Sequence, residues 1–508
     1  MFVKATKLID EFLNGITMYR LMLYFLIFLW GEVFILSIFN IFPFSFLQLT
    51  FSTIAILLSC YITNKLFSYI FKIPANLESV YISALILVFL VLPANTIPEL
   101  AFIIVAGSLA MASKYILAIN KKHIFNPAAI AVFITSLFSL GYASWWIGNQ
   151  WTLPVILIGG LLIAKKIKRL SMVLGFLIIF SFATLAFSII NQSDLPKTIY
   201  RILVDSPILF FSFVMLLEPL TSPTVKKMQI IYAVLVGVLA GSQFNIGPIY
   251  STYETALILG NIFAYFVSFR KRLVLEFKEK IQMSPNIYEF IFSAPKSLAF
   301  LPGQYFEWTV GHRRPDSRGV RRYFTIASAP TENNVRLGVR IDSEKGSSFK
   351  KALLNLNVGQ KVYAGQLAGD FVLPKNKSQK LVFIAGGIGI TPFRSIGKYI
   401  TDKEEKRDII LFYSNSEPES FVYKDIFEKA KEYGFKTIYV LTKNYENIKW
   451  DGHKGRLTAE VIKKEVPDFA SRTFYLSGPS KMVESYKKLL KELGIRNHRI
   501  VTDYFPGF

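Results

Sequence analysis

The chain has 508 residues, room for two or three domains, and 52% of them are hydrophobic, with 46 Phe, against 18% charged. That balance excludes a wholly soluble protein, and charge is scarce before residue 270 and dense after it. The formal net charge of +23 does not point to nucleic acid, because the cations of the first half lie in loops between apolar stretches, and one cysteine (Cys60) with four histidines excludes a four-thiolate iron–sulfur cluster, a Cys-rich zinc site and an internal disulfide; no metal site is expected.

No small-residue cleavage site follows the first apolar run, so a removable signal peptide is not expected. Apolar stretches long enough for a bilayer then recur near 20–40, 45–64, 79–94, 98–114, 126–142, 150–164, 171–190, 204–218, 228–244 and 252–269, which predicts a bundle of about ten transmembrane helices. Lys4, Lys7, Arg20, Lys65, Lys72, Lys114, Lys121, Lys122, Lys165, Lys166, Lys168, Arg169, Lys226, Lys227 and Arg270-Lys271-Arg272 fall on one side, and Lys197 and Arg201 on the other. The positive-inside rule then puts the N-terminus and everything after residue 270 in the cytoplasm, with membrane lipid as the surroundings of the first half.

Two motifs stand out there: Asn126-Pro127-Ala128-Ala129 opens the fifth stretch, and Glu218-Pro219-Leu220-Thr221-Ser222-Pro223-Thr224 closes the eighth. Ten spans with these motifs resemble the D subunit of Rnf electron-transport complexes and the B subunit of sodium-translocating NADH:quinone reductases, over about residues 15–270. The resemblance implies a multi-pass protein of a bacterial-type inner membrane, further electron-transfer subunits as partners, and an electron acceptor near Asn126, Thr221 and Ser222. Those subunits carry FMN on a Ser/Thr-Gly-Ala-Thr motif. The corresponding loop here reads Asn191-Gln192-Ser193-Asp194-Leu195-Pro196-Lys197-Thr198, so covalent FMN is not expected and a non-covalent flavin stays open. Glu32, Asp205, Glu218 and Glu254 are the acidic groups near membrane depth and are candidates for ion or proton movement. With His123 alone in this half, paired axial histidines for haem are excluded.

After Arg272 the period changes. Tyr288–Phe292, Tyr305–Val310, Val335–Ile341 and Gln360–Tyr363 read as short strands with glycine punctuation, a six-stranded type of antiparallel barrel over 271–374. Arg321-Arg322-Tyr323-Phe324-Thr325-Ile326-Ala327-Ser328 resembles the flavin motif Arg-x-Tyr-Ser/Thr of the ferredoxin–NADP reductase superfamily, with Phe324 where Tyr is usual. The resemblance assigns FAD to this lobe. Arg322 suits its pyrophosphate, Phe324 offers a ring face, Thr325 suits the flavin or its ribityl chain, and Tyr323 and Ser328 flank them. Gly346-Ser347-Ser348 fits a second phosphate turn.

Leu381-Val382-Phe383-Ile384-Ala385 is an apolar run, the pattern of a strand buried on both faces, and Gly386-Gly387-Ile388-Gly389-Ile390-Thr391-Pro392 breaks it. Thr391 is expected as N-cap and Pro392 as the first helical residue, which makes a strand–turn–helix site for a pyrophosphate. The same stretch resembles the superfamily's nicotinamide-dinucleotide turn. Strands at 408–413, 435–441 and 473–476, with an amphipathic helix at 421–433, predict a parallel α/β sheet over 375–508. Ser477-Gly478-Pro479-Ser480-Lys481-Met482 resembles the Cys-Gly-Pro turn that faces the nicotinamide, with Ser477 in place of Cys, and Phe508 matches a terminal aromatic that covers the flavin. Ser477, Thr391 and Phe508 are thus the candidate catalytic positions. Gly386, Gly387, Gly389, Ser414, Gly478, Pro479 and Met482 are the dinucleotide contacts. The loop Ser414-Asn415-Ser416-Glu417 has no cation for a 2′-phosphate, which favours NADH over NADPH.

The expected protein has three parts: a polytopic membrane domain (1–270), an FAD barrel (271–374) and an NAD(P)H-binding domain (375–508). Its expected activity takes hydride from NAD(P)H to FAD and passes electrons to a quinone or a membrane flavin. A transporter with a redox- or nucleotide-sensing domain is the alternative.

Overall fold

In a computed structural model of the chain, the residues described are 8–10, 12, 13, 15–71, 77–119, 122–204, 207–242, 244–247, 249–268, 272–293, 295, 298–313, 315, 316, 319–342, 346–443 and 449–503. The chain divides into two compact units, one ending at Arg272 and one beginning at Leu273.

Helices lie over the apolar stretches of the first unit: α1 (Met18–Ile38), α2 (Phe46–Phe71), α3 (Leu77–Leu90), α4 (Ile97–Ile116), α5 (Pro127–Leu137), α6 (Leu153–Lys166), α7 (Leu170–Ile190), α8 (Leu195–Leu203), α9 (Lys226–Gly241) and α10 (Tyr253–Val267). The stretch at 204–218 holds a helical turn, Ile208–Phe210, that runs into a π-helix, Phe211–Met215. Both faces of α1 are apolar: Leu26, Leu29 and Val33 are buried, whereas Phe28 and Ile35 are exposed. That all-round greasiness suits a lipid surround. Gly160 on α6 lets Phe213 approach where a Cβ would strike its ring.

By length and composition, α1, α2, α4 and α7 can each cross a membrane, and a fifth span results if α8 and Ile208–Met215, bent by 44°, count as one. The expectation of ten spans therefore meets four or five at this level. The reason is length: α3, α5 and α10 are apolar but only 14, 11 and 15 residues long, short of the ~20 that a bilayer asks of a straight helix.

In the second unit, β1 (Leu273–Ser284), β2 (Ile287–Ser293), β3 (Tyr305–Thr309), β4 (Arg321–Thr325), β5 (Asn334–Arg340) and β6 (Lys361–Ala368) form a six-stranded barrel-like sheet, with α11 (Ser348–Leu354) between β5 and β6. The order is β4-β3-β6-β1-β2-β5, antiparallel at every pair. Phe290, Phe292, Phe306 and Trp308 fill its interior.

The remainder is a parallel sheet of β7 (Leu381–Gly386), β8 (Ile409–Asn415), β9 (Phe435–Leu441), β10 (His453–Lys454), β11 (Thr473–Ser477) and β12 (Ile500–Asp503), in the order β10-β9-β8-β7-β11-β12. The helices between them are α12 (Thr391–Asp402), α13 (Lys424–Ala430), α14 (Ala459–Glu465) and α15 (Ser480–Glu492). Every residue of β7 is buried. Alternate side chains serve two cores: Leu381, Phe383 and Ala385 join Phe393 and Phe427, and Val382 and Ile384 join Phe474 and Leu490. Helices thus cover both faces, as the continuous apolar run implied.

Two local readings differ. Ile390, not Thr391, is the N-cap of α12, because Gly387–Ile390 already winds as a 3-10 turn and places Thr391 and Pro392 inside the helix. The helix expected over 421–433 shortens to α13, because Tyr423 takes a left-handed backbone (φ 63°) and the helix starts only after it.

Candidate functional site

The chain crosses from β7 outward to β8 and β9, then returns to the other side of β7 as β11. Such a reversal leaves a crevice at the carboxyl ends of the central strands, where ligands of open α/β sheets bind. Both glycine motifs end there. Ala385 pairs with Ser477 across β7 and β11. The two turns touch: a Cβ on Gly389 would lie 2.5 Å from the Ser477 carbonyl oxygen and 2.6 Å from the Gly478 Cα, and a Cβ on Gly386 would collide with Met482 Sδ and sit 3.4 Å from Pro479. Gly387 has φ 55°, the left-handed region that favours glycine. Gly386, Gly387, Gly389, Ser477, Gly478, Pro479 and Met482 are therefore one cluster, with Ser414 at the end of β8 level with Gly386.

Arg340, at the end of β5, is a residue that motif reading misses. Its Nη1 lies 3.6 Å from the Cβ position of Gly387, and its buried Nε has no hydrogen-bond partner. Asn415 Oδ1 is 3.7 Å from the same position and is likewise buried without a partner. A glycine turn with a guanidinium across it and unsatisfied polar atoms beside it fits a dinucleotide pyrophosphate.

The barrel and the sheet are clasped beside this crevice. Arg394 on α12, 4% exposed, grips Glu332 with both terminal nitrogens, Nη2 to Oε1 at 2.9 Å, and donates to the Ala327 carbonyl at 3.1 Å. Ser395 Oγ donates to the Ser328 carbonyl at 2.7 Å. The Ser328 hydroxyl accepts the Arg336 N–H at 3.1 Å, so this predicted cofactor contact holds β5 in place. Thr391 and Tyr423 close on Gly338 of β5, each 2.8 Å from the Cβ position there. Burial, with the Glu289 carboxylate close by, pushes the Tyr423 phenol well up, so it stays a neutral hydroxyl.

On the barrel wall, Arg322 is buried to 2% exposure and Thr325 to 6%. The Arg322 guanidinium lies 5.4 Å from the Phe349 ring centre and donates through Nη2 to Asp316 Oδ1 at 3.1 Å. Asp316 Oδ2 accepts the Ser348 N–H at 3.1 Å, and Ser348 Oγ accepts the Asp316 N–H at 2.9 Å. The pair predicted to hold a phosphate, Arg322 and Ser348, thus already holds an anionic group, a carboxylate, and the donor set fits FAD. Ser347 caps α11 by accepting the Lys350 N–H at 3.3 Å, and Gly346 is needed because a Cβ would lie 2.6 Å from the Asp342 carbonyl oxygen. Phe324 stands 5.7 Å from Phe349 between ring centres and is half-buried. Tyr323 OH donates to Gln366 Oε1 at 3.2 Å, and Thr325 Oγ1 donates to Asp503 Oδ2 at 3.3 Å. Since Asp503 pairs with Ser477 across β11 and β12, Thr325 links the barrel wall to the turn that begins at Ser477. Phe508 lies outside the described residues.

In the first unit, the two motifs, far apart in sequence, meet. Asn126 caps α5, its Oδ1 accepting the Ala129 N–H at 3.1 Å, and its Nδ2 donates to Glu218 Oε2 at 2.9 Å. Thr221 Oγ1 donates to the same oxygen at 3.1 Å, and His123 Nε2 is 3.5 Å from the other. Asn261 ties the motifs together, accepting the Asn126 N–H at 2.9 Å and donating to the Thr221 carbonyl at 3.0 Å. Arg169 contacts Ser222 Oγ. Lys114, read as a loop cation, is in the last turn of α4 and donates to Ser79 and Ser83 hydroxyls, each at 3.0 Å. A cavity of about 40 Å³ lies here, lined by Tyr19, Ser79, Ser83, Asn126 and Glu218 among others. The other acids are dispersed: Glu254 accepts from Trp145 at 3.2 Å, Glu32 Oε2 is buried without a partner, and Asp205 lies outside the described residues.

A fold of barrel plus parallel sheet, with the Arg322–Ser348 donor set on one and a double glycine turn on the other, fits a flavin-and-nicotinamide reductase. Residues 383–488 match the oxidoreductase NAD-binding domain, and residues 135–272 match the NQR2, RnfD, RnfE family. NADH-cytochrome b5 reductase 1 of Aspergillus terreus is 32% identical over 237 residues, 44% of this chain and 79% of that protein. The glycine betaine monooxygenase reductase subunit of Pseudomonas aeruginosa is 25% identical over 219 residues, 42% of this chain and 59% of that protein. Among solved structures, the Amycolatopsis cytochrome P450 reductase GcoB has a TM-score of 0.41 at 24% identity, covering 46% of this chain and 70% of that one. The chain belongs to the ferredoxin–NADP reductase superfamily of flavoproteins, and it is an NAD(P)H-dependent oxidoreductase.

Proposed function

We propose that the chain is a multi-pass flavoprotein of a bacterial-type inner membrane that oxidises cytoplasmic NAD(P)H, NADH by preference, and delivers the electrons to a quinone or flavin in its membrane half. The observation that carries this reading is the meeting of Gly386–Gly389 with Ser477–Met482 at the switch point of the parallel sheet, beside a phosphate clamp on the barrel. The apolar helices and the cation-rich loops support about ten spans, with residues 271–374 as the FAD domain and 375–508 as the nucleotide domain.

Arg322 and the Ser348 N–H bind the FAD pyrophosphate, Phe324 lies against the ring system, and Thr325, held by Asp503, orients it. Gly386, Gly387 and Gly389 let the NAD(P)H backbone approach, and Arg340 neutralises its pyrophosphate. The Ser477–Gly478 turn sets the nicotinamide against the flavin. FAD held there would supply the exchange between two-electron and one-electron chemistry, so orientation is what the protein must supply. That suits a site without a catalytic histidine. NADH is favoured by Glu417, which follows Ser414-Asn415-Ser416 where a 2′-phosphate would need a cation.

Full-length protein purified in detergent should show a flavin spectrum that bleaches at once with NADH; a colourless preparation would favour a sensor or transporter. Glu218→Ala, which removes the carboxylate joining Asn126 to Thr221, should leave NADH-driven reduction of a soluble dye unchanged and cut reduction of a quinone in liposomes about tenfold, the effect of ~1.4 kcal/mol. Equal loss of both rates would place the electron acceptor elsewhere. Ser477→Cys should keep activity, because the thiol is close in size, whereas Ser477→Phe should stop flavin bleaching with FAD still bound. Normal bleaching in the Phe variant would show that this turn does not face the nicotinamide.

A further inference from the structure

Asp316 was no part of any motif, yet it sits at the centre of the phosphate clamp. One carboxylate oxygen takes the Arg322 guanidinium at 3.1 Å and the other takes the Ser348 N–H at 3.1 Å. Its own N–H donates to Ser348 Oγ at 2.9 Å, and His312 Nε2 lies 3.0 Å from that same hydroxyl. Arg322 also donates through Nη1 to the carbonyls of Arg321 at 2.7 Å and Gly319 at 3.1 Å, so its planar fork is committed on both sides. A pyrophosphate needs the same two donors, Arg322 Nη2 and Ser348 N–H. The Ser348 amide has a single hydrogen and cannot serve a carboxylate and a phosphate in one geometry, and two anions that close beside Arg322 repel each other.

We propose that Asp316 is an internal competitor for the FAD pyrophosphate: its carboxylate holds the clamp in the binding geometry, and the cofactor must displace it to bind. This rests on the assignment of the Arg322–Ser348 clamp to FAD. Two consequences follow from charge. The displacement favours a ligand with two linked phosphates over one with a single phosphate or none, so the clamp selects FAD over FMN and riboflavin. The Asp316 side chain is 27% exposed, so it can swing to solvent, where its charge is hydrated, once the phosphate arrives.

The test uses full-length protein stripped of flavin, with binding followed by quenching of flavin fluorescence. Asp316→Asn keeps an oxygen to accept the Ser348 N–H but removes the charge; Asp316→Gln serves if the Asn variant does not fold. The variant is expected to bind FAD about tenfold more tightly and to narrow the preference for FAD over FMN, because a single phosphate no longer meets a carboxylate at the clamp. Inorganic pyrophosphate at millimolar concentration should raise the unfolding temperature of the stripped variant more than that of the stripped wild type. FAD binding that is unchanged or weaker in the variant, with wild type binding normally, would overturn the inference and make Asp316 a supporting residue of the site. Failure of wild type and variant alike to bind FAD would instead overturn the assignment of the clamp, and the inference with it.

Discussion

Gly389→Ala should cut reduction of the bound FAD by NADH about 100-fold or more while the FAD itself stays bound, since a displacement on the order of 1 Å at a hydride-transfer site is enough for a loss of that size. The backbone angle at Gly389 is not the obstacle, because the left-handed glycines of this motif are Gly387 and Gly478, not Gly389. Space is. The added Cβ would sit 2.5 Å from the Ser477 carbonyl oxygen and 2.6 Å from the Gly478 nitrogen, and both are main-chain atoms at the end of a buried strand. Neither can rotate away, so the two turns must separate. Gly386→Ala is the internal comparison: its Cβ would meet the Met482 side chain, which has free torsions and can move, so a much smaller loss is expected. Stopped-flow bleaching and the flavin content of both variants decide the matter. Equal rates for Gly389→Ala and wild type would mean that the contact between the turns does not position the nicotinamide.

The same two turns show what a sequence reveals and what it hides. β7 was legible because a strand buried on both faces is written as an unbroken apolar run, and the glycines after it are local turn chemistry. Arg322 and Ser348 were legible because each belongs to a short local motif. Arg340, Asp316 and His312 were not. Each owes its place to pairing across β strands or to a loop laid beside the clamp, and nothing in its neighbours marks it. Ser328 was visible as a motif residue, whereas the bond its hydroxyl makes to the β5 backbone was not, because only the register of the barrel supplies that partner. Thr391 shifted by one position because the glycines wind into a 3-10 turn before α12, and helix ends are where local propensity is weakest against such a choice. In the membrane half, Asn126 and the Thr221-Ser222 loop were visible as motifs, whereas the Glu218 and Asn261 bonds that join them are long-range. The count of about ten spans meets four or five by helix length for a different reason. Hydropathy registers an apolar stretch whether or not the helix on it is long enough to cross alone.

Arg322→Ala should weaken FAD binding about 100-fold, as expected when a buried, charge-assisted hydrogen bond worth ~3 kcal/mol is lost. The size of the loss follows from burial. Arg322 is 2% exposed, so water does not screen its charge or take over its role at the phosphate. Arg322→Lys should recover only part, because a point charge cannot replace the planar fork that also reaches the carbonyls of Gly319 and Arg321. The variant also tests the part played by Asp316. With the guanidinium gone, the Asp316 carboxylate remains on the Ser348 N–H and faces the incoming pyrophosphate without its counter-charge. Removing that charge as well should therefore help more than it does in the wild type: Arg322→Ala/Asp316→Asn is expected to bind FAD more tightly than Arg322→Ala by well over the roughly tenfold gain of Asp316→Asn alone, a coupling of the kind seen between groups in one network. Flavin titrations of the four proteins measure it directly. Effects that simply add would mean that Arg322 and Asp316 act on the cofactor independently, and stoichiometric FAD in purified Arg322→Ala would remove Arg322 from the phosphate site altogether.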